Sequence, residues 1–133
     1  MYLEQLPLSK QIEVVFREVR EELCRMTSGI VFVQIRNNIV GKFGIRHFPL
    51  ESKGGVLQVC EEGLSETHLQ SFRKMAAESL RHKHHWTHGE IVFEFALKNN
   101  TLHASVQFES NYNMATLFVS KDSRKGIKEK ELH

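Results

Sequence analysis

Apolar residues near the amino terminus recur at spacings of three, four and seven, the periodicity of one face of an α-helix. The members of this stripe are Ile12, Val15, Phe16, Val19, Leu23 and Met26. Ser9 is a residue type that commonly caps helix amino termini, and Gly29 suits the left-handed conformation that often follows a helix. The pattern therefore predicts a first helix that begins after Ser9 and ends before Gly29.

Two β-rich runs follow, on either side of the pair Asn37-Asn38. Asparagine tolerates positive φ better than most residues, as a two-residue hairpin turn requires, so these runs predict a β-hairpin. Beyond Gly54-Gly55, residues 56–60 predict a short third strand. A second helix is predicted from Glu66 to His82, with Ser65 as its N-cap. Its apolar stripe consists of Leu69, Phe72, Met75, Ala76 and Leu80.

A second hairpin is predicted around Asn99-Asn100, and the two-residue turn fixes its register. In that register Leu97 faces Leu102, Phe95 faces Ala104, Phe93 faces Val106 and Ile91 faces Phe108. All eight residues are apolar and lie on one face, while the alternate residues are mostly polar. This alternation is typical of a sheet with one core face and one solvated face. Residues 114–120 predict a last strand.

These elements predict an α+β fold in the order α-β-β-β-α-β-β-(β), with two helices packed on one face of an antiparallel sheet. The sheet would comprise the two hairpins and one or two short strands, in a single domain over residues 1–120. The segments LSKQIEVVFR and LSETHLQSFR, 56 residues apart, share Leu, Ser, Phe and Arg, and TSG-IVF resembles THGEIVF. Three explanations fit these matches: a duplicated α-hairpin unit with halves 8–60 and 64–120, convergence on one supersecondary arrangement, and chance similarity.

The composition adds one main point to this prediction, which is where the charged residues lie. The chain has 133 residues, 41% hydrophobic and 26% charged, as is usual for one soluble globular domain. The flexible tail predicted over residues 121–133 carries five basic and three acidic residues, which leaves thirteen of each in the body. A neutral body argues against nucleic acid as a partner. We expect a cytoplasmic protein, because Cys24 and Cys60 form no motif and the amino terminus lacks a secretory pattern. No apolar run is long enough for membrane insertion.

The sequence LRHKHHWTHGE, residues 80–90, contains four of the chain's eight histidines, all within a segment of seven residues. These are His82, His84, His85 and His88, and neutral imidazole is a common ligand of zinc, nickel and copper. His84 and His88 would share a face if the helix continued through the stretch. A metal site is one interpretation. The other is a half-exposed connection that Trp86 anchors against the core, and we favour it because histidine-rich tracts are only a compositional signal.

Catalytic motifs are absent: the sequence contains no G-x-S-x-G and no P-loop. His103, Glu94 and Ser105 would share the solvated sheet face and could form a shallow polar site, which makes a hydrolase the weakest of the functional alternatives. An ordinary solvated strand face explains the same residues. We therefore expect a protein that is not an enzyme.

The order helix, three strands, helix over residues 9–82 resembles that of a double-stranded-RNA-binding domain, which implies RNA binding. That family places a Gly-x-Ser-Lys-Lys run at the start of the second helix, where this chain reads GLSETHL. The acidic substitution removes the phosphate contacts on which such domains depend. The helix-then-hairpin order also resembles that of MpsC-like accessory proteins of bacterial cation-translocating systems. That resemblance implies membrane association through a partner protein.

The first hairpin carries a second apolar face that a one-sided sheet does not need, composed of Val31, Val33, Ile35 and Val40. Either the third strand and its loop cover this face or another chain does. Apolar surface of this kind marks interaction sites, so we favour a homodimer or another protein partner. The function predicted is a small non-enzymatic binding or regulatory domain that acts through protein contacts. The alternative is a metal-binding or metal-responsive protein that uses residues 82–88.

Overall fold

The computed structural model describes residues 6–59 and 62–115. Its helices are α1 (Leu8–Glu18), α2 (Arg20–Leu23) and α3 (Glu66–Ser79), and a 3₁₀ turn (Leu80–His82) follows α3. Its strands are β1 (Ser28–Arg36), β2 (Ile39–Arg46), β3 (Glu51–Lys53), β4 (Val56–Gln58), β5 (His88–Lys98) and β6 (Thr101–Ser110). The predicted α+β fold is confirmed.

The main sheet has four antiparallel strands in the order β2-β1-β5-β6, and β3 and β4 form a separate two-stranded sheet. The predicted third strand is present as β4, but it pairs with β3 and not with the main sheet. The reason is local, because Gly54 and Gly55 have φ of 62° and 84° and reverse the chain directly after β3. The resemblance to a double-stranded-RNA-binding domain therefore does not extend from element order to sheet composition.

Both asparagine pairs form the predicted hairpin turns. Asn37 and Asn38 have φ of 53° and 63°, and Asn99 and Asn100 have φ of 50° and 63°. Positive φ at both central residues is typical of the type I′ turn, whose twist matches that of the flanking strands. All four apolar pairs predicted for the second hairpin are observed. Of the predicted last strand, Met114 and Ala115 are helical, and residues 116–120 lie outside the described part.

The first helix buries the predicted apolar stripe, but its ends differ from the prediction. It begins at Leu8 after Pro7, whose φ of −58° is already helical, so Ser9 lies inside the helix and does not cap it. The helix is interrupted at Val19, and α2 ends at Leu23. Gly29 is the second residue of β1 and not a helix cap. A Cβ at this position would lie 2.6 Å from Cε of Met26, so glycine permits a close approach here.

The start of α3 agrees with the prediction. The Ser65 hydroxyl accepts a hydrogen bond from the His68 backbone N–H, and Nδ1 of His68 accepts one from the Ser65 backbone N–H. This reciprocal capping box satisfies two amides that would otherwise lack partners. The Glu66 carboxylate binds the Arg20 guanidinium and holds the pKa of Arg20 above its ordinary value. Both side chains are about half exposed, so this ion pair adds little stability.

A cluster of phenylalanine rings forms the centre of the core, where the two long helices meet the sheet. The Phe16 and Phe72 ring centroids, from α1 and α3, lie 4.8 Å apart in an edge-to-face arrangement. Phe72 also contacts Phe95 at 5.1 Å, and Phe16 contacts Phe93 at 5.6 Å. Edge-to-face packing adds favourable quadrupole interactions to the burial of these large side chains.

The predicted interaction surface is wrong, because its residues belong to the core. Val31, Val33, Ile35 and Val40 have exposed fractions of 0%, 0%, 3% and 8%. Val31 lies opposite Phe93 and Val33 opposite Ile91, so the odd-numbered residues of β1 share the face that the helices cover. The outward residues of β1 include Phe32, whose ring is covered by the Arg46 guanidinium at 4.3 Å. These four residues therefore offer no surface for a second chain.

The sheet order arranges two helix-hairpin units about the central β1–β5 pair. In each unit, a side chain from the first part of the helix contacts the carbonyl of the second turn asparagine: Gln11 Nε2 donates to Asn38 and His68 Nε2 donates to Asn100. The sequence match between TSG-IVF and THGEIVF does not align equivalent positions of the two units. It aligns Phe32, on the outer face, with Phe93, in the core. Duplication stays a prediction.

Candidate functional site

The histidine-rich stretch is an extended connection and not a continuation of the helix. Lys83 leaves the 3₁₀ turn with extended backbone angles, and His85 has φ of 61°. Trp86 is 1% exposed, its backbone N–H donates to the Asn38 side chain, and its carbonyl accepts from the Asn38 N–H. The stretch is therefore fixed to the β1–β2 turn through Trp86, as the favoured interpretation of the sequence predicts.

Gly89 allows this tryptophan to be buried. A Cβ at Gly89 would lie 2.2 Å from the carbonyl oxygen of Glu109 and 2.6 Å from the Trp86 ring. The ring also contacts Phe108, with centroids 5.8 Å apart. The Lys83 ammonium lies over the Trp86 ring, 4.5 Å from its centroid. The side chain of Trp86 thus joins the connection to the end of β6.

The four histidines predicted as metal ligands surround this buried anchor but do not converge. His82, His84, His85 and His88 are all exposed, and the rings of His84 and His85 lie 6.5 Å apart. Within residues 6–59 and 62–115, no three His, Cys, Asp or Glu side chains are grouped to hold a metal ion. Zinc, nickel or copper binding by these histidines stays a prediction, which elemental analysis of untagged protein tests.

The shallow polar site predicted on the outer sheet face is only partly assembled. Glu94 lies opposite Ser105, while His103 lies opposite Ala96. All three polar side chains are exposed, and in the described part of the chain they make no hydrogen bond with one another. Catalysis by His103 stays a prediction.

The hairpin formed by residues 48–59, which we call the arm, carries five of the eight exposed large apolar side chains in the described part of the chain. Ser52 lies opposite Leu57. Leu50 and Val59 flank the two ends of this ladder, and the register continued by one pair would place them on the same face as Leu57. Leu50, Leu57 and Val59 are 59%, 54% and 64% exposed. The opposite face carries Glu51, Lys53, Val56 and Gln58. The arm thus carries three exposed apolar side chains on one face and one, Val56 at 64% exposure, on the other.

A second open surface follows β6, the edge strand next to α3. Its inward residues Leu102, Val106 and Phe108 are only partly buried and Ala104 is exposed, whereas the inward residues of β5 are almost fully buried. An open groove of about 660 Å³ separates α3 from β6, lined by residues such as Met75, Leu102 and Ala104. The helices thus cover the centre of the sheet and leave the β6 side incompletely covered.

The chain matches no known protein family, no curated protein and no solved structure. In the part of the chain that the structure describes, no helix is long and apolar enough to cross a membrane.

Neither of the two open surfaces, the arm and the β6 side of the sheet, was predicted from the sequence. The alternation in β3 and β4 is a signal that could have indicated the arm, since Leu50, Leu57 and Val59 fall on one face once Gly54-Gly55 is taken as a hairpin turn. The incomplete cover of β6 has no such signal, because its apolar residues alternate as regularly as those of a buried strand.

Proposed function

We propose that the chain is a non-enzymatic binding domain that docks onto another protein through the apolar face of the arm. The observation that carries this proposal is the exposure of three large aliphatic side chains, Leu50, Leu57 and Val59, on one face of a projecting hairpin. Scattered exposed apolar residues are ordinary on protein surfaces. Three on one face of a small element form a patch, and patches mark interaction sites.

The arm has little support from the rest of the chain. Three residue pairs join β3 to β4, and neither strand pairs with the main sheet. An isolated two-stranded hairpin is at best marginally stable in water. A partner that covers the apolar face would contribute roughly 1.5–3 kcal/mol for each fully buried aliphatic side chain, against the cost of association.

The chemistry of the arm favours a protein partner with an apolar groove. Its only charged residues, Glu51 and Lys53, balance each other and lie on the opposite face. A phosphate backbone or an anionic lipid surface would require an excess of Lys and Arg, which the arm lacks. In the proposed complex, Leu50, Leu57 and Val59 enter the groove while Glu51, Lys53 and Gln58 stay in contact with water.

The proposal is tested with two neighbouring substitutions that add the same charge to opposite faces of β4. Leu57→Glu places a carboxylate on the apolar face, and Gln58→Glu places one on the solvated face. The full chain and both variants are used to capture proteins from a lysate of the encoding organism. The captured protein is then purified and titrated. We expect Gln58→Glu to bind like the unaltered chain and Leu57→Glu to bind at least roughly 30-fold more weakly, which corresponds to about 2 kcal/mol.

Identical direct affinity of all three chains for the purified protein would overturn the proposal. Flotation of the unaltered chain with uncharged phosphatidylcholine vesicles, abolished by Leu57→Glu, would overturn it as well, because the arm would then be a lipid contact. A captured protein is accepted as the partner only when the titration shows that it binds the purified chain directly. The fold of each variant is checked by circular dichroism.

A further inference from the structure

We propose that two copies of this chain associate by antiparallel pairing of their β6 strands, which joins two four-stranded sheets into one of eight strands. This surface is separate from the arm, and the proposal does not depend on the function assigned to the arm. Three observations support it: no other strand of the described residues pairs with the β6 edge, the other edge is obstructed, and the pattern of β6 is complementary to itself.

The β6 edge has few of the features that normally prevent strands from associating, and its one Asp or Glu residue is Glu109 near the end of the strand. It runs for ten residues, from Thr101 to Ser110, in continuous register with β5. It contains no proline, lysine or arginine. Within the described residues, β5 is the only strand that pairs with it. A long, flat and unprotected edge strand presents a row of free backbone donors and acceptors to another chain.

The opposite edge of the same sheet is obstructed. Strand β2 carries Lys42 and Arg46, and it contains Gly41 and Gly44. Its register with β1 shifts between Val33 and Ile35, where Gly41 and Lys42 form a bulge. Charged side chains and bulges are the usual means by which edge strands avoid association. The two edges thus differ, and only β6 is suited to pairing.

The sequence of β6 is symmetric about Ser105 in its alternation of apolar and polar residues. In an antiparallel pair centred there, Leu102 faces Phe108 of the second copy and Ala104 faces Val106 of the second copy. On the outer face, Thr101 faces Glu109 and His103 faces Gln107, so no two like charges oppose each other. Ser105 faces its own counterpart. Each partly buried apolar residue therefore gains an apolar neighbour.

Such a self-complementary strand suits an isologous dimer, in which the same surface of each copy takes part and the assembly closes at two chains. The pairing also brings the two incompletely covered grooves beside α3 together, and extends the apolar layer beneath Leu102 and Phe108. A second copy of this chain is therefore the occupant that the pattern specifies. An unrelated strand would have to reproduce the same alternation.

The experiment measures the mass and the cross-linking of the full chain, with Cys24 and Cys60 replaced by serine. Light scattering is expected to give twice the 15.5 kDa chain mass. Ser105→Cys places one cysteine opposite its counterpart, so mild oxidation is expected to link the two copies. Gln107→Cys is the matched control on the same exposed face, and it faces His103 of the second copy. We expect little cross-linking of that variant, because its two thiols are too far apart for a disulfide.

A second pair of variants tests the apolar strip. Ala104→Lys inserts a charge between the copies and is expected to raise the dimer dissociation constant roughly 100-fold or more, because the buried charge is unpaired. Thr101→Lys faces Glu109 of the second copy and is expected to leave the dimer intact. A monomeric unaltered chain at ~100 μM, the concentration range in which weak dimers still form, would overturn the proposal. Efficient cross-linking of Gln107→Cys in place of Ser105→Cys, or a dimer that links through neither residue, would overturn it too.

Discussion

Replacement of Phe72 with alanine is expected to lower the free energy of unfolding by about 3–5 kcal/mol. Phe72 is fully buried, and its ring contacts Phe16, Phe93 and Phe95 from α1 and β5. Truncation removes the transfer free energy of the ring and leaves a cavity that two helices and a sheet cannot close. Since domains of this size are stable by only about 5–15 kcal/mol, the loss is a large part of the total. Guanidinium denaturation followed by circular dichroism measures it.

Phe43→Ala is the matched control for this prediction. Phe43 lies on the edge strand β2 and is 37% exposed, so the same truncation leaves no enclosed cavity. We expect a loss of no more than about 1 kcal/mol for this variant. Equal denaturation midpoints for the Phe72 and Phe43 variants, at unchanged slope, would show that the ring cluster is not the centre of stability.

Gln11→Leu is expected to lower the free energy of unfolding by about 3 kcal/mol, since each buried polar group left without a partner costs roughly 1–3 kcal/mol. Gln11 is 1% exposed. Its Oε1 accepts from the Val40 N–H at 2.8 Å, and its Nε2 donates to the carbonyls of Leu6 and Asn38, each at 3.1 Å. Leucine has a similar volume but cannot satisfy any of these three groups.

Gln70→Leu supplies the control for Gln11, because it is the same substitution at an exposed position of α3. A change within about 0.5 kcal/mol is expected there. Hydrogen exchange gives a second readout, since the Val40 amide should exchange faster in Gln11→Leu than in the unaltered chain. Unchanged protection of Val40 would mean that the amide has another acceptor and that the glutamine does not hold the turn.

The features that the sequence could predict are those that depend on neighbouring residues. The Asn37-Asn38 and Asn99-Asn100 turns require positive φ, which asparagine accepts, and a two-residue turn fixes every pair in the hairpin that follows. The β5–β6 register was predictable for this reason. The α3 cap was predictable because Ser65 and the helix it begins are adjacent in the chain. In each of these cases the deciding contacts span few residues.

Which face of β1 enters the core could not be predicted from β1 itself. Val31, Val33 and Ile35 alternate with Ile30 and Phe32, so both faces of the strand are apolar. The choice depends on the pairing with β5, which places Val31 opposite Phe93 beneath the helices. A shift by one residue exchanges the two faces of a strand. The face that was predicted to be an interaction surface is therefore the face that packs in the core.

The two open surfaces could not be predicted for the same reason, because they depend on contacts between residues that are distant in the sequence. The exposure of Leu57 depends on β4 pairing with β3 and not with the sheet, and the exposure of Ala104 depends on how far α3 extends over β6. Neither the pairing partner of β4 nor the extent of α3 over β6 can be read from the apolar pattern of a single strand. The anchoring of the histidine-rich stretch was easier to predict, since Trp86 is the only large apolar side chain between His82 and His88.

The central β1–β5 pair has a consequence for how the chain reaches this structure. Each hairpin closes between strands joined by two residues, whereas Val31 and Phe93, which face each other in the central pair, are 62 positions apart. Local contacts form quickly, and distant ones must first overcome the entropy of loop closure. We therefore expect the two hairpins to form before one unit docks on the other, and we expect the docking to limit the folding rate. Since that entropy grows only with the logarithm of loop length, extra residues in the arm would slow folding very little.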